Sequence, residues 1–352
     1  MTSAILISLF LTVAITLLIV ASSHWHGKFS HDEMQGVQKF HIHPTPRIGG
    51  LSLLLGLSVG YYLLPQFEQD FFLWLLIAST PVFLGGLAED ISGKLNPQAR
   101  LILAFISAGI AFYGLDAAFI RTGWQWFDQI FTYPVISLLT TVFMVGGVAH
   151  SINIIDGFNG LMLGFSVVVL LIFSWIALQV GDIFLAQIFI VSTMPLLALF
   201  IINFPQGKIL TGDGGSYLIG FLLAIYALLL VNRNPGVSPW VAICVLCFPI
   251  FETTFSMYRR KIFKNQATSI ADALHLHTLI YRRLIPQFFK LPKKGWQRNA
   301  STSVIVWLLV IPFTIPALWF WGHSLTLIAI ATLFCCCYLI IYFKIVRFKI
   351  KR

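Results

Sequence analysis

The chain has 352 residues, 58% hydrophobic and only 10% charged, with a mean hydropathy of +0.87 and a formal net charge of +10. An average soluble domain carries about 25% charged residues, so this balance excludes a soluble globular domain and predicts an all-α, polytopic membrane protein. Cys244 and Cys247 lie in one apolar run and Cys335, Cys336 and Cys337 in another. With no second ligand pair after CVLC, a zinc knuckle is excluded and the thiols read as small buried apolar residues.

The first apolar run, residues 3–22, is long enough to span a bilayer. It has neither a basic start nor a small-residue cleavage site, so it is expected to stay as a helix. Further runs follow at 48–64, 71–88, 98–114, 134–152, 158–178, 183–202, 214–231, 239–257, 301–320 and 324–343. They predict about eleven transmembrane helices in a single integral membrane domain, 1–352, with a long basic loop at 258–300. An odd number puts the two ends on opposite sides. Of the 23 lysines and arginines, all but Arg121 and Arg233 then fall on the side of the C-terminal tail. The positive-inside rule places that tail in the cytoplasm and the N-terminus outside. Basic residues at membrane ends bind anionic lipid, so the charge implies membrane lipid and no nucleic acid.

Four polar stretches share the cytoplasmic side. GLAEDISGKLNPQAR carries Glu89 and Asp90; NIIDGFNG carries Asn153, Asp156 and Asn159. NFPQGKILTGDGGSYLIG carries Lys208, Gly212, Asp213 and Gly214, and IADALHLHTLIYRRL carries His275 and His277. Mg²⁺ takes hard oxygen ligands, usually one or two carboxylates plus substrate phosphate oxygens. The four acids supply them, and the adjoining glycines let backbone approach a ligand. The amides after Asp213 open a helix and favour an anion, while Lys208 and the histidines offer donors to phosphate. Each piece has a plainer reading. Asp156 and Asn159 could be helix caps, Asp213 a turn residue, and Glu89-Asp90 a solvated helix end. His275 and His277 would not share a face on a helix. Glu68, Asp70, Asp116, Asp128 and Asp182, on the other side, read as solvated loop charges. Glu252, the one acid inside a span, is expected to pair with Arg259 or Arg260, or to line a lipid groove.

With KFHIHPTPRIGG ahead of them, these segments resemble, from about residue 37 to 285, the polyprenyl-phosphate N-acetylhexosamine-1-phosphate transferases. The resemblance implies a bacterial inner-membrane enzyme with its site on the cytoplasmic face. It would transfer a sugar-1-phosphate, of N-acetylhexosamine type, from a UDP-sugar to undecaprenyl phosphate, releasing UMP. That step would begin a cell-surface polysaccharide of O-antigen or capsule type. It implies Asp213 and Asp156 as ligands of Mg²⁺, with Mn²⁺ as the alternative. Glu89, Asp90, Asp156, His275 and His277 are the implied catalytic residues. Lys39, Arg47, Asn153, Asn159, Lys208, Gly212 and Gly214 are the implied substrate contacts, and a homodimer is the implied assembly. A phosphate monoester has a second pKa near 6, so positioning and charge control are favoured over proton abstraction for Glu89 and Asp90.

The chain departs from the family pattern at three places. Glu89-Asp90 stands where many members have Asp-Asp, Asn159 stands where several have Asp, and HLH-Thr278 stands where muramoyl-pentapeptide enzymes carry three histidines. The last favours a plain UDP-N-acetylhexosamine donor. The competing readings are a phospho-N-acetylmuramoyl-pentapeptide transferase of peptidoglycan synthesis, a membrane transporter and a catalytically dead relative. A transporter would need acids near mid-membrane, and here they gather at one interface.

Overall fold

A computed structural model describes residues 2–32, 44–64, 66–263, 274–289, 291–292 and 295–347; Lys39 lies outside the described residues. The chain opens with α1 (Thr2–Ala21), a short α2 (Ser23–Ser30), α3 (Gly49–Tyr62), α4 (Gln66–Ser92), α5 (Pro97–Gly114) and a single turn, α6 (Gln125–Asp128). Four long helices follow: α7 (Pro134–Ile155), α8 (Leu161–Gln179), α9 (Ile183–Asn203) and α10 (Gly212–Arg233). The C-terminal third holds α11 (Trp240–Val245), α12 (Cys247–Phe263), α13 (Leu276–Leu279), α14 (Ile285–Phe288), α15 (Trp296–Thr314), α16 (Ala317–Phe320) and α17 (Ser324–Arg347).

Every expected apolar run is helical, but not every one is a full span. Among the described residues seven helices are long and apolar enough to cross a membrane, or eight if the pair Ile5–Ala21 and Ser23–Ser30, bent through 84°, is one span. Three of the eleven expected segments fall short: α3 is 14 residues, α5 carries Gln98 and Arg100 in its first turns, and the ninth segment breaks at Leu246 into α11 and α12. The long basic loop is also shorter than expected. Its start, 258–263, is the end of α12, and 296–300 is the start of α15.

The architecture is a helical bundle around α10, 94% of whose most apolar stretch is buried. In a bilayer helices gain little from hydrophobicity against one another, so close packing of small residues decides which helices meet. That rule is visible here. A side chain on Gly50 of α3 would strike the Gly215 backbone, and one on Gly86 of α4 would strike Asp213 and Gly214. Farther along, Gly220 of α10 sits against Ala149 of α7, where an added Cβ would lie 2.6 Å from Cα. The first turn of α10 is thus held backbone-to-backbone by α3 and α4.

The two ends of the bundle differ. At one, the last turn of α4 and the turns after α7 and α9 meet the chain entering α3. At the other, Trp124, Trp126, Tyr133 and Trp319 are exposed in the manner of an interfacial aromatic belt. Two acids of that end are not merely solvated. Asp182 caps α9 by accepting the Leu185 N–H at 3.1 Å and takes Arg233 at 2.8 Å. Asp128 accepts the Thr122 N–H and hydroxyl, both at 2.6 Å. Cys244 and Cys247 are buried as expected, whereas Cys336 is exposed on the outer surface of α17.

Candidate active site

The polar turns at the first end enclose a cavity of about 320 Å³. Asp156, Asp213, Arg47, Arg100, Asn153, Gly212, His275 and His277 are in its wall. Arg47 and Asp213, far apart in the chain, meet because three backbone connections tie their segments together. The Leu210 N–H donates to Pro46 O at 2.8 Å, and the Gly49 and Gly50 N–H groups donate to Leu210 and Thr211 at 3.0 and 2.9 Å. The strand-like run that carries Arg47 is therefore laced to the loop that carries Asp213.

Glu89 and Asp90 separate here. Neighbours on a helix point about 100° apart, so only Asp90 turns toward α10. Its carboxylate accepts the N–H of Asp213 at 2.8 Å and of Gly214 at 2.9 Å, with Arg47 Nε donating at 3.0 Å. Asp90 thus occupies the anion position at the start of α10. Its side chain is 1% exposed and is not in the cavity wall. Glu89 lies outside that wall too, with one carboxylate oxygen buried and without a hydrogen-bond partner among the described residues.

Asp213 projects from the first turn of α10 into the cavity. Arg100 and Arg47 both pair with it, Arg47 at 3.8 Å, and the Asn153 amide donates to it at 3.1 Å and to Ser216 at 2.8 Å. Arg47 also reaches Asp32 at 3.5 Å, so one guanidinium joins three carboxylates. Asp156 follows the last turn of α7, and its carboxylate accepts no hydrogen bond from the described residues. Burial pushes its pKa up to about 7, the Asp90 charge adds to the rise, and Arg47 opposes it.

The histidines share a face after all. His275 is extended (φ −63°, ψ 148°) just ahead of α13, so the i, i+2 pair points the same way. Their rings stack 5.2 Å apart, nearly parallel at 5°. Glu252 is the partner of His275 and not of the arginines beside it. It accepts His275 Nδ1 at 2.9 Å, the Leu276 N–H at 3.1 Å and the Tyr338 hydroxyl at 2.9 Å.

Other expected contacts point elsewhere. Asn159 is buried outside the cavity wall. Its N–H donates to Asn299 at 2.6 Å and its amide to Pro205 O at 2.9 Å, which fastens the Asn/Asp loop to α15 and to the turn after α9. Lys208 is exposed and away from the cavity. Gly214 packs on Leu87 and Phe83 of α4. Gly212 has φ +75°, and a side chain there would strike Arg47 O and meet Asp90 Oδ2 at 2.5 Å. Both glycines therefore admit neighbouring protein, and only Gly212 also faces the cavity.

Comparison with known proteins fits this arrangement. Residues 72–231 match the family described as glycosyl transferase family 4. A probable undecaprenyl-phosphate N-acetylglucosaminyl 1-phosphate transferase of Bacillus subtilis (strain 168) is 28% identical over 250 residues, which is 68% of this chain and 66% of that protein. An undecaprenyl-phosphate alpha-N-acetylglucosaminyl 1-phosphate transferase of Yersinia pestis is 30% identical over 257 residues, 70% and 68% of the respective chains. One of Thermotoga maritima is 29% identical over 249 residues, 70% and 72%. The chain belongs to glycosyl transferase family 4. The matched region spans about two thirds of the length of the Bacillus and Yersinia proteins.

Among the described residues of this family-4 chain, no three His, Cys, Asp or Glu side chains converge to cage a metal unaided. The donor set still fits magnesium, which needs only one or two carboxylates when phosphates complete its shell. Asp213 and Asp156 offer two carboxylates to one cavity, and that of Asp156 has no hydrogen-bond donor among the described residues. Sequence reasoning missed Arg100 and Asp32. Arg100 was legible only as one more cytoplasmic charge, and Asp32 only as one of two adjacent loop acids, Asp32 and Glu33.

Proposed function

We propose that this protein is a membrane glycosylphosphotransferase that moves N-acetylhexosamine 1-phosphate from a UDP-sugar to undecaprenyl phosphate. The observation that carries the reading is a single cavity in which Asp156 and Asp213 face Arg47, Arg100, His275 and His277. Carboxylates for a metal beside cations for phosphate are the two halves of a nucleotide-diphosphate site. The activities for which the Bacillus, Yersinia and Thermotoga relatives are named support the lipid acceptor and the sugar class.

In the proposed reaction an oxygen of the lipid phosphate bonds to the sugar-bearing phosphorus. The bond from that phosphorus to the bridging oxygen breaks, and UMP leaves with the electron pair. Magnesium held by Asp213 and Asp156 would offset the diphosphate charge and improve the leaving group. Arg47 and Arg100, released in part from Asp213, would neutralise phosphate oxygens. His275 and His277 offer ring nitrogens to the same cavity. Asp90 would act by holding the Asp213 backbone and by orienting Arg47, the groups to which its oxygens bind. The lipid phosphate is already largely ionised at neutral pH, so no strong base is required.

We also place the protein in the bacterial inner membrane with eleven crossings, counting α3, α5 and the broken α11–α12 unit as short or interrupted spans. The N-terminus would lie outside, and the C-terminus and the cavity would face the cytoplasm, the side rich in lysine and arginine. The product would start a surface polysaccharide. The test is incubation of purified protein with undecaprenyl phosphate, Mg²⁺ and a panel of UDP-sugars headed by UDP-N-acetylglucosamine. UMP and a lipid-linked sugar diphosphate are expected; a folded, nucleotide-binding protein that yields neither with any donor overturns the reading.

A further inference from the structure

We propose that Glu252 is a positioning residue for His275, tying the C-terminal helix α17 to the cavity through Tyr338. The inference rests on the transferase reading above. Glu252 is 1% exposed, within the apolar body of α12, where an uncompensated carboxylate is costly. Both of its oxygens are engaged. One takes His275 Nδ1 and the Leu276 N–H, and the other takes the Tyr338 hydroxyl. The first two contacts fix both the imidazole and the backbone on which it sits. With Nδ1 donating to the carboxylate, Nε2 is the nitrogen left for the cavity.

The geometry has a second support. His277 stacks on the His275 ring, and Phe158 meets His277 edge-on with centroids 5.6 Å apart. Orienting His275 therefore orients its neighbour. Tyr338 is held in turn by Phe251 of α12, edge-on at 5.0 Å. The carboxylate, the hydroxyl and the two rings form a connected unit that reaches from the lipid-embedded helices to the cavity wall. A buried carboxylate behind a functional histidine fixes its tautomer and ring angle.

A double-mutant cycle on the full chain in detergent tests this, with UMP release as one readout. Glu252→Gln is expected to lower kcat about 10- to 100-fold, with smaller changes in KM for the UDP-sugar. In a His275→Ala background the same substitution is expected to cost less than about 2-fold, because a residue acting through another has no effect once that other is gone. Equal losses in both backgrounds would mean that Glu252 only supports the fold, and the proposal fails. Tyr338→Phe, which keeps the ring packing, runs the same cycle if Glu252→Gln does not fold. The second readout needs no turnover. In ¹⁵N-histidine-labelled protein the His275 ring signals, identified by their loss in His275→Ala, should report the Nδ1–H form. That preference should vanish in Glu252→Ala; an unchanged tautomer overturns the proposal. Wild-type protein that releases no UMP would instead sink the transferase reading, leaving the tautomer result to judge this one.

Discussion

Asp90 and Asp213 are both acids of the same cluster, but their surroundings give them different work. Asp90 spends its oxygens on two backbone N–H groups and Arg47, while Asp213 reaches the cavity. Asp213→Asn is expected to cut kcat at least about 100-fold with little change in thermal midpoint, since the loss falls on charge stabilisation. Asp90→Asn should lower both, because charge-assisted bonds to buried N–H groups are worth about 1.5–3 kcal/mol each. UMP release and scanning fluorimetry on the two variants separate these outcomes. Asp156 gives a pH signature. Its pKa is raised to about 7 in the fold, chiefly by burial, from an ordinary value of 3.8. The folded state then holds the proton more tightly than the unfolded chain, and the charged form costs stability above pH 7. In magnesium-free buffer Asp156→Asn should melt higher than wild type at pH 8, on the order of a few degrees. The gap should close as pH falls from about 7 toward 4.

At the scale of elements, the start of α10 is defined by what is absent from its neighbours. Gly50 and Gly86 allow α3 and α4 to touch the backbone that carries Asp213, so the cavity depends on helix contacts with no chemistry of their own. Gly86→Ala is expected to destabilise the protein by about 1–3 kcal/mol, the usual cost of overpacking, and to reduce activity by moving Asp213. Gly109→Ala on α5 is the control, since an added methyl meets nothing within 4 Å; it should be neutral or slightly stabilising. Melting midpoints and UMP release measure both. Equal effects at the two glycines would contradict the packing account. The glycines were legible in the sequence as markers of close approach. What approaches was not: Gly214 meets α4 and Gly212 meets Arg47 and Asp90, where a ligand was expected. The period of a helix says which side a residue is on, but not which neighbour fills that side.

For the whole molecule, the asymmetry of charge and the convergence of the polar turns make one joint prediction about sidedness. In a variant lacking its five cysteines, Lys94→Cys should react with a membrane-impermeant maleimide only after the inner membrane is opened. Gln125→Cys, at the opposite end of the bundle, should react in intact cells with a permeable outer membrane. The reverse pattern would invert the proposed topology. Composition by itself determined that the chain is helical and membrane-embedded, because so few charges leave almost no water-facing body. The spaced motifs likewise named Asp156, Asp213 and the histidines, since hard oxygens and cations beside glycines have few other uses together, and the family resemblance added Arg47. Only the tertiary structure decided that Asp90 serves the backbone of α10, that Asn159 fastens loops, that Arg100 belongs to the site and that Glu252 stands behind His275. Those assignments depend on which atoms lie within about 3 Å across 23 to 140 residues of chain, a distance fixed by packing and not by spacing along the sequence.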